Sequence, residues 1–188
     1  SSYHPDASAA LIADGEIIAA VDEERLNRIK HSPGFPELAI RYCLEKGRAR
    51  LDDVDYIAVA NDLRTNLRHK IAFSLRSFPI KAWPEYFRNY MRQRVLRPLN
   101  VTDDLANRVG GDPRKIRSKI RRVEHHCAHA ASSYYTSPFS DAAILTMDGS
   151  GDFVTCAMSH GKDKRINRLT QIYWPNSLGM LYFSVTQY

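Results

Sequence analysis

Cysteine is scarce and scattered in this sequence. The three present are Cys43, Cys127 and Cys156. Their number is odd and none forms a C-x-x-C pair, which argues against a disulfide framework and fits a reducing cytoplasm. Long apolar runs are missing too. The longest are short, as from Ala142 to Met147, so no segment reads as a membrane span. The start, Ser1-Ser2-Tyr3-His4-Pro5, carries neither a basic leader nor an apolar core, and no signal peptide is expected from it. There is no internal repeat and no low-complexity tract. An initiator Met is also lacking, and Leu178 to Tyr188 reads as a helix still running at the last residue. Both features give the expectation of a fragment.

What is present is the composition of a soluble globular protein, with 44% hydrophobic and 26% charged residues. A chain of 188 residues is long enough for one domain with a core, or for one lobe of something larger. The net charge of +6 is unevenly placed. One basic stretch runs from Arg64 to Arg97 and a second from Arg114 to Arg122. A basic surface suits phosphate-bearing ligands or nucleic acid. A solvated helix face explains it more simply, and nucleic acid is not the expected partner.

Local patterns predict the element order. Ala9 to Ala13 and Glu16 to Val21 are apolar runs separated by Asp14-Gly15, a hairpin signal because a type I′ turn needs positive φ at both central positions. A helix is expected from Pro36 to about Gly47, and a buried strand from Asp55 to Ala60. Residues of about 63 to 110 read as a helical insertion of two or three helices, broken at Pro79, Pro84 and Pro98. Its aromatics, Phe73, Phe78, Trp83, Tyr86, Phe87 and Tyr90, read as core. A strand from Ile120 to Glu124, a helix from His125 to Tyr135 and a meander close the order. The meander strands are Ala142 to Met147, Phe153 to Ser159 and Leu169 to Trp174. Strands with intervening helices imply an α/β domain.

The sharpest chemical feature is Glu124-His125-His126-Cys127-Ala128-His129. His125 and His129 are four apart, which on a helix sets both imidazoles on one face, where they can share a metal. A zinc protease needs Glu directly after the first His, and here His126 stands there. Asp148, at a strand end with glycines behind it, is the best third ligand. Two His and one carboxylate with open positions suit a non-haem Fe(II) site, with Zn and Mn left open. Gly149, Ser150 and Gly151, between Asp148 and Asp152, read as a turn whose backbone N–H groups can cradle phosphate. His4 stands in a loop before the first hairpin, where a general base would suit. Arg25, Arg28 and Lys30 form a basic cluster after that hairpin that can hold a phosphate.

Taken in order, these pieces resemble one family. His4-Pro5-Asp6-Ala7-Ser8-Ala9-Ala10-Leu11 is similar to an H-D-A-S-A-A-L opening, with Pro5 inserted. Glu23-Glu24-Arg25-Leu26-Asn27-Arg28-Ile29-Lys30-His31 resembles E-E-R-F-x-R-x-K-H. His125 to Ser132 resembles H-H-x-A-H-A-A-S. Ser137-Pro138-Phe139, Thr146 to Asp152 and Ser177 to Tyr182 follow at suitable intervals. The resemblance is to the O-carbamoyltransferases that modify nodulation factors, cephamycins and tobramycin-like aminoglycosides.

The resemblance implies an actin-like (ribonuclease H-like) lobe with a mixed sheet, flanking helices and a helical insertion. Residues 1–188 would be its N-terminal part. A second lobe and a YrdC-like domain would lie elsewhere in the polypeptide. It implies carbamoyl adenylate, made from carbamoyl phosphate and ATP, as donor to a hydroxyl of a small-molecule acceptor. It implies Fe(II) on His125, His129 and Asp148, His4 as base, Lys30 and Arg28 at the substrate, and Gly149, Ser150 and Gly151 at the nucleotide. The rival reading is an actin-like sugar kinase or other phosphotransferase, which uses Asp148 to Asp152 but leaves the His pair idle. A nucleic-acid-binding module ranks last.

Overall fold

A computed structural model describes residues 6–62, 64–76 and 100–187. His4, Phe78, Trp83, Tyr86, Phe87 and Tyr90, with the breaks at Pro79, Pro84 and Pro98, lie outside the described residues. In chain order the elements are β1 (Ser8–Ala13), β2 (Glu16–Asp22), α1 (Glu23–Asn27), α2 (Glu37–Lys46), β3 (Ile57–Val59), α3 (Leu67–Arg76), α4 (Val101–Asp104), α5 (Pro113–Lys119), β4 (Ile120–Arg122), α6 (His125–Tyr134), β5 (Asp141–Gly151), β6 (Val154–Lys162), β7 (Arg165–Tyr173) and α7 (Leu178–Val185). The chain is therefore a mixed α/β protein. Its described residues fall into two compact units: 6–59 with 100–121, and 60–62, 64–76 with 122–187.

In the first unit β1 and β2 pair antiparallel across Asp14 and Gly15. Their φ values of 52° and 87° are the positive pair that the Asp-Gly signal predicts. Helix α2 packs on this hairpin. Its N-terminus is satisfied from a distance: buried Glu23 accepts the N–H groups of Leu38 at 3.1 Å and Ala39 at 2.8 Å. The helix ends near Gly47 as expected, yet Gly47 has φ −79° and the left-handed residue is Arg48, at φ 50°. Gly47 serves close packing instead: a Cβ there would stand 2.3 Å from Leu11 Cδ2. Leu51, Val59, Val101, Leu105 and Ile116 form the core of this unit, and β3 pairs with β4 beside it.

In the second unit β5, β6 and β7 form an antiparallel meander, with α6 and α7 packed on β5. Strand pleating sends alternate residues to opposite faces. Ile144 and Thr146 are buried, whereas Leu145 and Met147 are exposed. Buried His126, Ala130 and Tyr134, each four apart, are the row of α6 turned inward. Gly161 admits Tyr134, whose Cε2 would lie 2.5 Å from a Cβ at that position. The Tyr134 hydroxyl reaches the Ser140 carbonyl at 2.8 Å and that of Asp163 at 3.1 Å.

Four expectations change. The expected mixed sheet gives way, among the described residues, to three sheets: the β1–β2 hairpin, the β5–β6–β7 meander, and a pair of β3 with β4, which are distant in sequence. The insertion of 63–110 is divided: 64–76 belong to the second unit and 100–110 to the first. Strand β5 does not end at Met147 but runs to Gly151. A register irregularity between Met147 and Gly151 absorbs the glycines, and the turn falls on Asp152 and Phe153, at φ 49° and 76°. The terminal helix stops at Val185, with Thr186 as its cap.

Ile116 is 1% exposed at the centre of the first core. Ile116→Ala should cost about 2–5 kcal/mol in urea denaturation, through lost contact and the cavity left behind.

Candidate metal centre

The site is built where α6 meets the far end of the pleated row of β5. His126, the inward residue, is fully buried, with Nδ1 2.8 Å from Thr146 Oγ1 and Nε2 3.0 Å from the Val154 carbonyl. A carbonyl only accepts, so Nε2 carries the proton. Burial pushes this imidazole below its ordinary pKa, against the pull of the Val154 carbonyl. His126 is thus a neutral structural residue that seats the helix on the sheet.

His125 and His129 flank that row. Asp148 lies two residues beyond Thr146 and therefore shares its face of the strand. Asp148 Oδ2 stands 2.7 Å from His125 Nε2 and 3.8 Å from His129 Nε2, and the two imidazole nitrogens are 3.0 Å apart. All three donor atoms lie within 4.8 Å of one another. Metal–imidazole bonds of about 2.0–2.1 Å place neighbouring donors roughly 3 Å apart, so the separations fit a common divalent ion. Two nitrogens and one carboxylate oxygen are a donor set such an ion accepts. The hydrogen bond with His125, and the His129 imidazole beyond it, hold the Asp148 carboxyl far below the usual carboxylate range, despite partial burial. The same carboxylate raises His129.

Several supports were not visible as signals in the sequence. Glu124 caps α6, accepting the N–H groups of His126 at 3.1 Å and Cys127 at 2.8 Å, and Arg168 meets its Oε2 at 2.6 Å. Burial lifts the Glu124 carboxyl, but Arg168 and these two N–H groups outweigh it, leaving the carboxyl below its ordinary value. Ser177 caps α7, and its hydroxyl reaches the carbonyls of Asp148 at 3.1 Å and Gly149 at 2.8 Å. Two glycines leave the necessary room. A Cβ on Gly151 would stand 2.0 Å from His125 Cδ2, and one on Gly179 2.5 Å from the Asp148 carbonyl carbon.

Gly149, Ser150 and Gly151 lie beside this centre as strand residues rather than a turn, and the Gly149 N–H already points to Asp148 Oδ1 at 2.6 Å. Arg28 and Lys30 are exposed in the first unit, Arg28 at φ 61° as the cap of α1. Next to Lys30, His31 gathers a second His–carboxylate group: Nδ1 meets Asp6 Oδ1 at 3.1 Å and its N–H meets Glu24 Oε2 at 3.1 Å. No described helix is long and apolar enough to cross a membrane.

Comparison with known proteins places the chain. The family model described as "Carbamoyltransferase N-terminus" matches residues 1–188. An uncharacterized protein of Synechocystis sp. is 36% identical over all of this chain and 31% of its own length. The nodulation protein NolNO of Sinorhizobium fredii is 36% identical over all of this chain and 26% of its own. An uncharacterized protein of Methanocaldococcus jannaschii is 25% identical over 97% of this chain and 28% of its own length. The chain thus spans less than a third of the length of these relatives.

His126→Ala should lower stability by roughly 2 kcal/mol or more in urea denaturation, since it removes a fully buried ring and its hydrogen bonds to the Val154 carbonyl and Thr146 hydroxyl. His129→Ala, at a side chain 52% exposed, should cost clearly less than His126→Ala at neutral pH. The metal-free chain should also show a pH signature. The depressed Asp148 contributes stability above its unfolded value of about 3.9, lost as pH falls through the folded one. The raised His129 contributes below about 6.5, lost as pH rises through its folded value. The stability deficit of Asp148→Asn should therefore be largest between roughly pH 4 and 6.5 in denaturation series across pH.

Proposed function

This chain belongs to the carbamoyltransferase family, through the region described as its N-terminus, and from that premise we propose that it is part of an iron-dependent O-carbamoyltransferase. The donor is carbamoyl adenylate, made from carbamoyl phosphate and ATP, and the acceptor is a hydroxyl of a small molecule such as a sugar or aminoglycoside. The observation that carries the reading is the convergence of His125 Nε2, His129 Nε2 and Asp148 Oδ2. A kinase would leave that convergence without a use.

His125, His129 and Asp148 would hold Fe(II), which supplies Lewis-acid polarisation of a carbonyl or phosphoryl oxygen. His4 takes the acceptor's proton as general base while the acceptor oxygen bonds to the carbamoyl carbon. The bond from that carbon to the adenylate phosphate oxygen breaks, and AMP leaves. Lys30 and Arg28 supply positive charge to the phosphate or acceptor. Gly149, Ser150 and Gly151, next to Asp148 in the strand, are assigned to the nucleotide. The chain would be one lobe of an actin-like domain. The remainder of the longer polypeptide would provide the second lobe, a further carboxylate ligand and the YrdC-like domain that makes the adenylate. The compartment we assign is the cytoplasm.

Anaerobically purified full-length protein should carry iron by elemental analysis and carbamoylate a hydroxylated acceptor, releasing AMP. His125→Ala and Asp148→Ala should each lose iron and reduce transfer by a hundredfold or more, on the order expected when a Lewis acid worth several kcal/mol is removed. Iron-free protein that phosphorylates the acceptor, unaffected by His125→Ala, would establish the kinase instead.

A further inference from the structure

The supports of the site come from both sides of α6, and one of them joins it to a distant segment of the chain. In the first turn of α6 the His126 and Cys127 N–H groups go to Glu124. The His125 N–H does not. It points to Asp152 Oδ2 at 2.9 Å. The same oxygen receives the Asp62 N–H at 2.8 Å. The Asp152 carbonyl accepts from Asn66 Nδ2 at 3.0 Å, and Phe153 meets Phe73 edge to face at 5.6 Å between centroids. His69 stacks on Tyr173 at 3.7 Å, so α3 lies along the turn and the adjacent strand. Asp152 thus sits where the 61–76 segment, the β5–β6 turn and the first residue of α6 meet.

We propose that Asp152 is a positioning residue of this centre: its single oxygen, shared by the N–H groups of His125 and Asp62, fixes the His125 imidazole against Asp148 and ties it to α3. The functional meaning rests on the metal reading above; the positioning does not. The His125 ring meets Asp148 at 2.7 Å and His129 at 3.0 Å. The ring must lie over Gly151, where even a methyl group would collide with it. Glu124 takes the second and third N–H groups of the helix, and Asp152 takes the first.

The inference also gives the basic segment that starts the former insertion a role. Asp62, at the head of this segment, acts on His125 through Asp152. Acceptor contacts on that segment would then reach the metal centre through one carboxylate.

The test compares Asp152→Ala, Asp152→Asn and Tyr134→Phe in the full chain. Tyr134→Phe loses a hydrogen-bonding hydroxyl at the opposite end of α6 and serves as the stability control. Two readouts are used: Co(II) titration followed by its visible absorption, and the ring nitrogen NMR shifts of His125 without metal, with His160 as internal reference. Asp152→Ala should weaken Co(II) binding roughly 10-fold or more and shift its band. It should also displace the His125 ring signals from their Asp148-paired values while His160 stays in place. Asp152→Asn, which keeps an acceptor oxygen, should recover most of both. Unchanged His125 signals in Asp152→Ala, or equal losses in Tyr134→Phe, would overturn the proposal. If the parent chain takes no Co(II) but the His125 signals still depend on Asp152, the positioning stands and the metal reading falls.

Discussion

One buried imidazole sets the geometry on which the rest of this centre depends. His126 reaches Thr146 on β5 and the Val154 carbonyl on β6, so it fixes both the rotation of α6 and its height over the sheet. A helix laid on a sheet by aliphatic contact alone could slide by part of a turn at small cost. A hydrogen-bonded ring cannot, because moving it strands polar groups in an apolar interior. With His126 placed, the neighbouring residue and the one a turn later come to stand over the strand end. The histidine with no access to solvent therefore seats the helix from which the other two project.

Charge is arranged around this anchor in layers. Asp148 faces the two imidazoles, while Glu124 and Asp152 face the helix start and are countered by Arg168 and Lys70. Carboxylates near a helix N-terminus also gain from the partial positive charge there. The outcome is a helix start held by two acidic groups that leave Asp148 to the rings. This separation lets one short stretch of chain carry three acidic side chains, at 124, 148 and 152, with different duties.

Much of this was legible in the sequence, for local reasons. The spacing of His125 and His129 is a helix property, and the Asp14-Gly15 hairpin is a turn property; both appear where expected. Asp148 was legible because it follows an apolar strand and has glycines behind it. What escaped depends on contacts far apart in sequence. Arg168 meets Glu124 across 44 positions and Asp62 meets Asp152 across 90, and no local pattern marks either pair. The glycines of 149–151 misled for a related reason. Gly-rich stretches usually turn the chain, but here they extend a strand through an irregular register and leave room for the His125 ring. The basic insertion looked like one unit because its composition is uniform; its two ends nevertheless pack into different bodies.

The alternation along β5 carries a further consequence. Asp148 faces the helix because it is in step with Ile144 and Thr146, while Leu145 and Met147 lie on the open face. The centre therefore depends on parity. Losing or gaining a single residue between Thr146 and Asp148 would turn the carboxylate outward and bring an apolar side chain or a bare glycine under the imidazoles. A change by a pair would keep the facing but lengthen the reach. Through this strand, descendants of such a chain can trade side chains on the open face freely, yet can alter its length only in even steps if the acid is to keep its place.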